Sequence, residues 1–421
     1  MKTRFSLHPT LGFALALLAG AALAQAPQAP APAASAAVIV VRPDVAKGIN
    51  ETIDLYKAGK PAEALTRVES AIAAASSPTS GETGMLSRLR GLLLLDLRRP
   101  AEAVPLLEGA LASRSFQPAE EVALIEALAR GNFQAKNYKA TLEWLAKASE
   151  RGSKSPNIYP LRSRSLYLTN DHAGTVREIE SHLKTLGNAP APEEDLRILA
   201  TSYSQLKDND GYVRVLERLM REHPRTEYWP DMLARMMRAP TWQERWDLDA
   251  YRLRRVVGAM QDAVEYVELA ELAAKAGQPI EALAVIEEGF AKGLLGKGPG
   301  AAEHQKLRTQ TARLADDDRK SLATLRPAAI TDARSAGNAL STGAALVAAG
   351  QADRGLELMR SALAAPQLAE AAHGRLRHAL ALHGAGRTAE AVEQLRPLAS
   401  DDKLGLLARL WALALAPQKK S

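Results

Sequence analysis

Residues 266–289, Y-V-E-L-A-E-L-A-A-K-A-G-Q-P-I-E-A-L-A-V-I-E-E-G, constrain this chain more than any other stretch. They read as two helices. Tyr266, Leu269, Ala270 and Ala273 form one apolar face, and Ala282, Ile286 and Gly289 form the other. The break falls at Gly277-Gln278-Pro279. Glycine accepts the left-handed conformation that ends a helix, and proline suits the first turn of the next. Small residues at Ala270, Ala282 and Gly289 let two helix backbones approach closely, while Tyr266, Leu269 and Ile286 fill the space beside them. Copies of the pattern recur along most of the 421 residues.

Indexed on the residue that opens each second helix, the copies align at Ala64, Ala103, Thr141, Thr175, Tyr212, Ala282, Gly355 and Ala391. The spacings are 39, 38, 34, 37, 70, 73 and 36 residues, so the two large gaps each have room for one divergent repeat. Turn signals stand at Gly59-Lys60-Pro61, Lys136-Asn137, Asn170-Asp171, Asp208-Asn209-Asp210, Gly350-Gln351 and Gly386-Arg387. Leu196-x2-Leu199-Ala200-x2-Tyr203 and Arg90-Gly91-x2-Leu94 are the strongest first helices. The arrangement resembles the tetratricopeptide repeat (TPR), with Tyr266 standing where that family carries Trp. The resemblance implies an all-α fold, a right-handed TPR-like helical-hairpin solenoid with two divergent repeats. Aromatic residues at 5% and a predominance of Ala and Leu agree with helices rather than a β-sandwich.

Residues 1–24 read as a secretory signal peptide. Lys2 and Arg4 give a positive start, an apolar core follows, and Ala22-Leu23-Ala24 gives a small-x-small cleavage site. A Pro/Ala-rich linker follows at 25–43. Beyond it the expected organisation is a TPR-like array at 44–223, a divergent helical segment at 224–262 and a repeat at 263–293. A Gly-rich flexible connector with a charged helix ending at Asp316-Asp317-Asp318 occupies 294–335. Further repeats fill 336–400, and an apolar helix and tail occupy 401–421. No cysteine is present, which excludes disulfides, thiolate catalysis and Cys-based zinc sites. The expected setting is the periplasm, with no membrane span once the signal is removed. A net charge of +6, two units of it in the signal segment, does not call for nucleic acid.

Catalytic patterns are missing. His373, His378 and His383 are spaced by five, about 140° per step around a helix, so they do not share a face as metal ligands would. They are expected as surface or turn histidines. Asp208-Asn209-Asp210-Gly211 lacks the remaining calcium ligands and reads as a helix N-cap. Gly296-Lys297-Gly298 has neither the strand nor the Ser/Thr of a phosphate loop. Carboxylates are plentiful, but the repeats leave no segment for a glycan-cleaving domain. No enzyme activity and no cofactor are expected.

Recognition remains. In the register of the TPR family, Arg88, Arg130, Arg164, Arg197 and Tyr167 would line the first-helix groove, together with Glu126, Phe133 and Thr201. The family's carboxylate clamp is not reproduced, because Leu92 follows Arg88 and Thr201 follows Arg197 where Asn is needed. The competing reading of these arginines is a solvated helix face. A second surface is compositional. Three of five Trp and five of eight Met lie between 220 and 260, with ten Arg over nearly the same span. Here Trp229 is expected to be partly exposed, rimmed by Arg235, Arg238 and Arg245, and Trp246 to be buried; the alternative is bulky filler for an irregular helix pair. The central region is similar to exported bacterial TPR proteins of no assigned activity. Together these features imply an exported scaffold or adaptor for a protein or peptide, with an acidic partner expected. The alternatives are a structural subunit of an envelope export or polysaccharide machine and, more distantly, a glycan-active enzyme. The helix at 404–416, apolar nearly all round, is expected to close the last repeat through Leu404, Leu407, Trp411 and Leu415. Its surplus face, Leu406 and Leu413, would then form a homo-oligomer or meet a partner.

Overall fold

The computed structural model describes residues 41–416 with the exception of Pro327. The signal segment, nearly all of the linker and the last five residues lie outside the described residues. The described chain is all-helical and falls into two compact units, ending and beginning at Ala135 and Lys136. The first contains α1 (Pro43–Lys57), α2 (Pro61–Ala74), α3 (Ser80–Asp96), α4 (Pro100–Ala112) and α5 (Pro118–Gln134). The second opens with α6 (Tyr138–Glu150), α7 (Ile158–Leu168), α8 (His172–Thr185), α9 (Glu193–Gln205) and α10 (Asn209–Glu222). It continues with α11 (Trp229–Met237), α12 (Asp247–Val256), α13 (Ala263–Lys275), α14 (Pro279–Ala291) and α15 (Ala301–Thr324). It ends with α16 (Ala333–Ala348), α17 (Ala352–Ala364), α18 (Ala371–Gly384), α19 (Thr388–Leu395) and α20 (Gly405–Leu415).

One backbone turn recurs at the hairpins. Gly59, Arg98, Asn170, Lys207, Gly277, Gly350 and Gly386 all have positive φ, between 58° and 81°. In each case the next N–H reaches back five residues, as Lys60 does to Leu55 O (3.0 Å), Asp208 to Tyr203 O (3.0 Å) and Gln351 to Leu346 O (2.8 Å). This is the Schellman closure, which satisfies a carbonyl left over at the helix end. The second helix then starts with Pro at its first turn in α2, α4 and α14. In α8 and α10 it starts with an Asp cap, Asp171 accepting from Gly174 N–H and Asp208 from Gly211 N–H, both at 2.8 Å. The Asp208 turn is therefore a helix cap.

The alignment on one small residue also holds, with one change of register. Ala64, Ala103, Thr141, Thr175, Ala282 and Ala391 are fully buried. In α10 the fourth residue is Tyr212, only half-buried, and the close approach passes to Gly211. A Cβ there would lie 2.4 Å from the Tyr203 ring. The tightest pair is α16 with α17, where a Cβ on Gly355 would stand 2.4 Å from the carbonyl oxygen of Gly343.

The two long gaps are filled differently. Between α10 and α13 lies a degenerate pair, the short α11 and α12, each preceded by a 3-10 turn. Between α14 and α17 there is one long helix, α15, followed by the hairpin's own α16. The charged helix does not stop at Asp318; it runs to Thr324 and buries Thr311, Ala315 and Leu322. The Gly-rich connector is no loose tether. Gly293, Gly296 and Gly298 adopt positive φ and wind the chain back so that Leu295 is buried over Gly289.

A second-unit core runs from Ile179 through Trp229, Met232 and Trp246, then resumes at Ala339 and continues to Leu415. The C-terminal hairpins therefore share a core with α10–α12. The expected boundary after His223 falls inside this cluster. Separate, smaller clusters hold α13 against α14 and join α14 to α15 and α16.

The close approaches predict opposite outcomes for two glycines. Gly355→Ala must displace backbone and should cost about 1–3 kcal/mol in chemical denaturation. Gly109→Ala, mid-helix with no atom within 4 Å of the added Cβ, should stabilise by about 0.5–1 kcal/mol.

Candidate recognition surfaces and the Asp249 knot

The groove arginines are neither free nor simply solvated. Each meets a carboxylate, and most of the pairs bridge neighbouring first helices. In the first unit Arg88 of α3 donates to Glu120 of α5 (2.8 Å) and lies over the Phe116 ring. Arg130 of α5 pairs back to Asp96 of α3 (3.4 Å), and Tyr56 of α1 donates to that same Asp96. This bond to a carboxylate pushes the Tyr56 phenol up to about 12. In the second unit Arg164 of α7 grips Glu194 of α9 through two bonds, and Tyr159 donates to Asp195 at 2.7 Å. Arg197 pairs with Glu193 in its own helix and stands 4.0 Å from Glu227. Burial, above all, raises the Asp195 carboxyl above the usual range, against the pull of the Tyr159 hydroxyl. The arginine side chains keep between 22% and 34% of their exposure, so water reaches every pair. Tyr167 is half-buried, edge-on to His172. Thr201 bonds its own helix at Arg197 O. Glu126 and Phe133 are half-buried.

The tryptophan surface is corrected by the structure. Trp229 is 8% exposed, not an exposed anchor. Pro230 starts α11 immediately, and the preceding 3-10 turn folds Tyr228 and Trp229 inward beside Met232, Leu233 and Met236. The Tyr228 hydroxyl is satisfied by Glu193 at 2.9 Å. Trp246 is buried, as expected. It does not share a helix with Trp242, which lies outside any helix, whereas Trp246 ends a 3-10 turn; the two rings meet edge to face at 5.4 Å. Arg235 lies over Tyr212 and bonds Asp231, Arg245 bonds Glu370, and Arg238 is exposed. These arginines do not form a rim around an accessible indole.

Sequence reasoning missed the most concentrated chemistry in the chain. Asp249, in α12, is fully buried. Its carboxylate takes His373 Nε2 of α18 at 2.7 Å and Arg252 Nη1 at 2.8 Å, with Arg377 Nε 3.8 Å away. Its carbonyl accepts the Trp411 indole N–H of α20 at 3.2 Å. Arg252 continues through two bonds to Glu281 of α14. Burial alone would raise the Asp249 carboxyl, but the His373 bond and the two guanidiniums prevail and hold it well below its ordinary value. His373 and His378 are thus buried, against the expectation of surface histidines. Each histidine faces a different neighbour, His378 bonding Gln394 and His383 bonding Thr388. Burial lowers the pKa of both of these rings.

Every arm of the knot ends on the protein's own chain, so it is a structural clasp and not an open site. Among the described residues no group of three or more His, Cys, Asp or Glu could hold a metal. A hollow of about 390 Å3 beside Gly187 and Asn188 contains Arg218 and Arg221, but both already face Glu222. The C-terminal helix is likewise occupied. Leu404, Leu407, Trp411 and Leu415 are buried, while Leu406 and Leu413 pack partly against the same core. Less apolar surface is left for a second copy than its sequence suggested.

No family model matches the sequence, and no curated protein matches it. Among solved structures, Naa15/Naa10 bound to HypK-THB is similar at 14% identity and a TM-score of 0.37. That match covers 85% of this chain, which spans 63% of the length of that one. The C-terminal part of a TPR repeat-containing protein from Cytophaga hutchinsonii is similar at 13% identity and a TM-score of 0.37, over 66% of this chain and 99% of that one. Yeast Tom70 follows at 10% identity and 0.25, over 88% and 95%. At such scores the assignment rests on the chain's own features. The Schellman turns, the buried small residue that opens most second helices and the paired helices make this a TPR-like helical-hairpin protein.

Two variants test the burial. Trp229→Ala should lose about 3–5 kcal/mol of stability, as core truncations do. Asp249→Ala takes the carboxylate from buried His373 and from Arg377 and leaves Arg252 with Glu281 alone, so it should lose a similar amount, about 3–5 kcal/mol. The Asp249 contribution carries a pH signature. A depressed folded pKa means the stabilisation is present above the unfolded value of 3.8 and disappears as pH falls below it. Denaturation midpoints of wild type and Asp249→Asn should therefore differ at pH 7 and converge in strong acid.

Proposed function

We propose that the protein is a non-catalytic scaffold that binds a protein or peptide along its first-helix faces. The observation that supports this is the series of partly exposed Arg–carboxylate pairs on the first helices, three of them bridging neighbouring first helices and Arg197–Glu193 within one. Exposed pairs of this kind contribute little to stability, about 0–1 kcal/mol each, so a ligand can replace one member at small cost. A partner carboxylate would take the place of Glu120, Asp96, Glu194 or Glu193 on Arg88, Arg130, Arg164 or Arg197. An acidic segment is the partner chemistry these positions fit. The leader-like residues 1–24 support action in the cell envelope after export, and no described helix is long and apolar enough to cross a membrane. The Trp229 surface has no part in this reading, because its indole is in the core.

Immobilised protein lacking residues 1–24 should capture a specific set of proteins from an envelope extract, identified by mass spectrometry. Arg164→Ala combined with Arg197→Ala should weaken that capture about tenfold, equivalent to about 1.4 kcal/mol, and leave the thermal midpoint nearly unchanged. Capture that survives the double substitution at every salt concentration would remove the groove from the account.

A further inference from the structure

The hollow beside the loop after α8 has a different charge balance from the first-helix groove. Its volume is about 390 Å3, and its polar lining comes from Gly187 and Asn188 of the loop and from Arg218, Arg221 and Glu222 at the end of α10. Two guanidiniums here share one carboxylate, and that carboxylate is not free to serve both. Glu222 Oε2 accepts the Ala191 N–H at 2.8 Å and Oε1 accepts Arg218 Nε at 2.7 Å. Arg221 stays 3.7 Å from Oε1, beyond hydrogen-bond range. The next carboxylate along the chain, Glu193, is taken by Arg225, Arg197 and the Tyr228 hydroxyl. Among the described residues, the Nη atoms of Arg218 and every guanidinium nitrogen of Arg221 therefore make no hydrogen bond. Arginines near a helix end often answer its last carbonyls. These two bond no backbone carbonyl, so that role does not account for them.

We infer that this hollow binds a small soluble oxyanion of the phosphate-monoester class between Arg218 and Arg221. A guanidinium presents a planar fork of donors that matches such oxygens. A carboxylate has two oxygens and serves one fork, as Glu222 does; a phosphate has oxygens enough for two. The arginine side chains are 26% and 58% exposed, so a solute reaches both, and the exposed Asn188 amide adds donors at the rim. None of the exposed large hydrophobic residues, Ile72, Leu206, Val256, Val264 and Leu314, lines the hollow, which favours a dissolved ligand over a membrane surface. The site stands at the ends of second helices and is independent of the proposed groove.

Calorimetric titration of the full chain with inorganic phosphate, in a zwitterionic buffer of low ionic strength, tests the site. Binding should saturate at one phosphate per chain and weaken as sodium chloride is added. Arg221→Gln has no hydrogen bond to lose within the chain. It should weaken phosphate binding about tenfold and leave the phosphate-free thermal midpoint unchanged. Glu222→Gln keeps an acceptor for the Ala191 N–H but removes the competing charge, so it should tighten binding about fivefold. Arg238→Gln, at an exposed arginine outside the hollow, should alter neither. Absence of saturable phosphate binding would overturn the site. So would equal losses in Arg221→Gln and Arg238→Gln, or weaker binding in Glu222→Gln. Co-sedimentation with phosphatidylglycerol vesicles by a chain that ignores inorganic phosphate would overturn the soluble ligand and assign these arginines to a membrane surface.

Discussion

Close contact between two helix backbones at the start of each second helix is the constraint on which the rest of this structure depends. It requires a residue without bulk, and it requires the turn before it to deliver the second helix at one fixed angle. The Schellman closure does the second job at seven hairpins, including three where Arg98, Asn170 and Lys207 accept a left-handed backbone without being glycine. These non-glycine turns show that the tertiary contact dictates the turn, since an L-residue enters that conformation only when its surroundings compensate. Once hairpins of one shape exist, neighbouring first helices lie side by side, and the Arg–carboxylate pairs follow from that adjacency.

The second unit adds a device that repetition alone does not provide. Its main core joins residues 179–259 directly to residues 339–415, passing over the helices between, and is closed by contacts between residues more than a hundred positions apart. Asp249 stands at the centre of that closure, with its carboxylate and its carbonyl both used. A charge in such a place stabilises mainly by specifying geometry. It accepts only the histidine and arginines that face it, and it would be costly beside any other register of the C-terminal helices.

Much of the hairpin architecture was legible in the sequence because its causes are local. Gly277-Gln278-Pro279 states a helix end and a helix start within three residues, and the structure has both there. The histidine spacing showed that His373, His378 and His383 could not converge, and they point to three different partners. The burial of His373 and His378 was not legible, since their partners come from elsewhere in the chain or across a turn. Trp229 was misjudged for a related reason. A proline after an aromatic signals a helix start, and nothing local says that a 3-10 turn will fold the ring inward. Enrichment in Trp, Met and Arg did mark an interface, but composition cannot say whether the other side belongs to another molecule or to the same chain. Tyr212 shows the limit of a fixed index, because the tight contact moved one residue back to Gly211 against Tyr203.

The central claim is that the C-terminal helices complete a core that begins far upstream. Hydrogen exchange on a chain ending at Ser400, compared with the whole chain, tests it most directly. Removing α20 takes away Trp411 and Arg409, so amides of α12 and of the C-terminal end of α10 should lose protection along with α18 and α19, while α3 and α4 keep theirs. Loss confined to α18 and α19 would contradict the account and reduce α20 to the cap of the last hairpin.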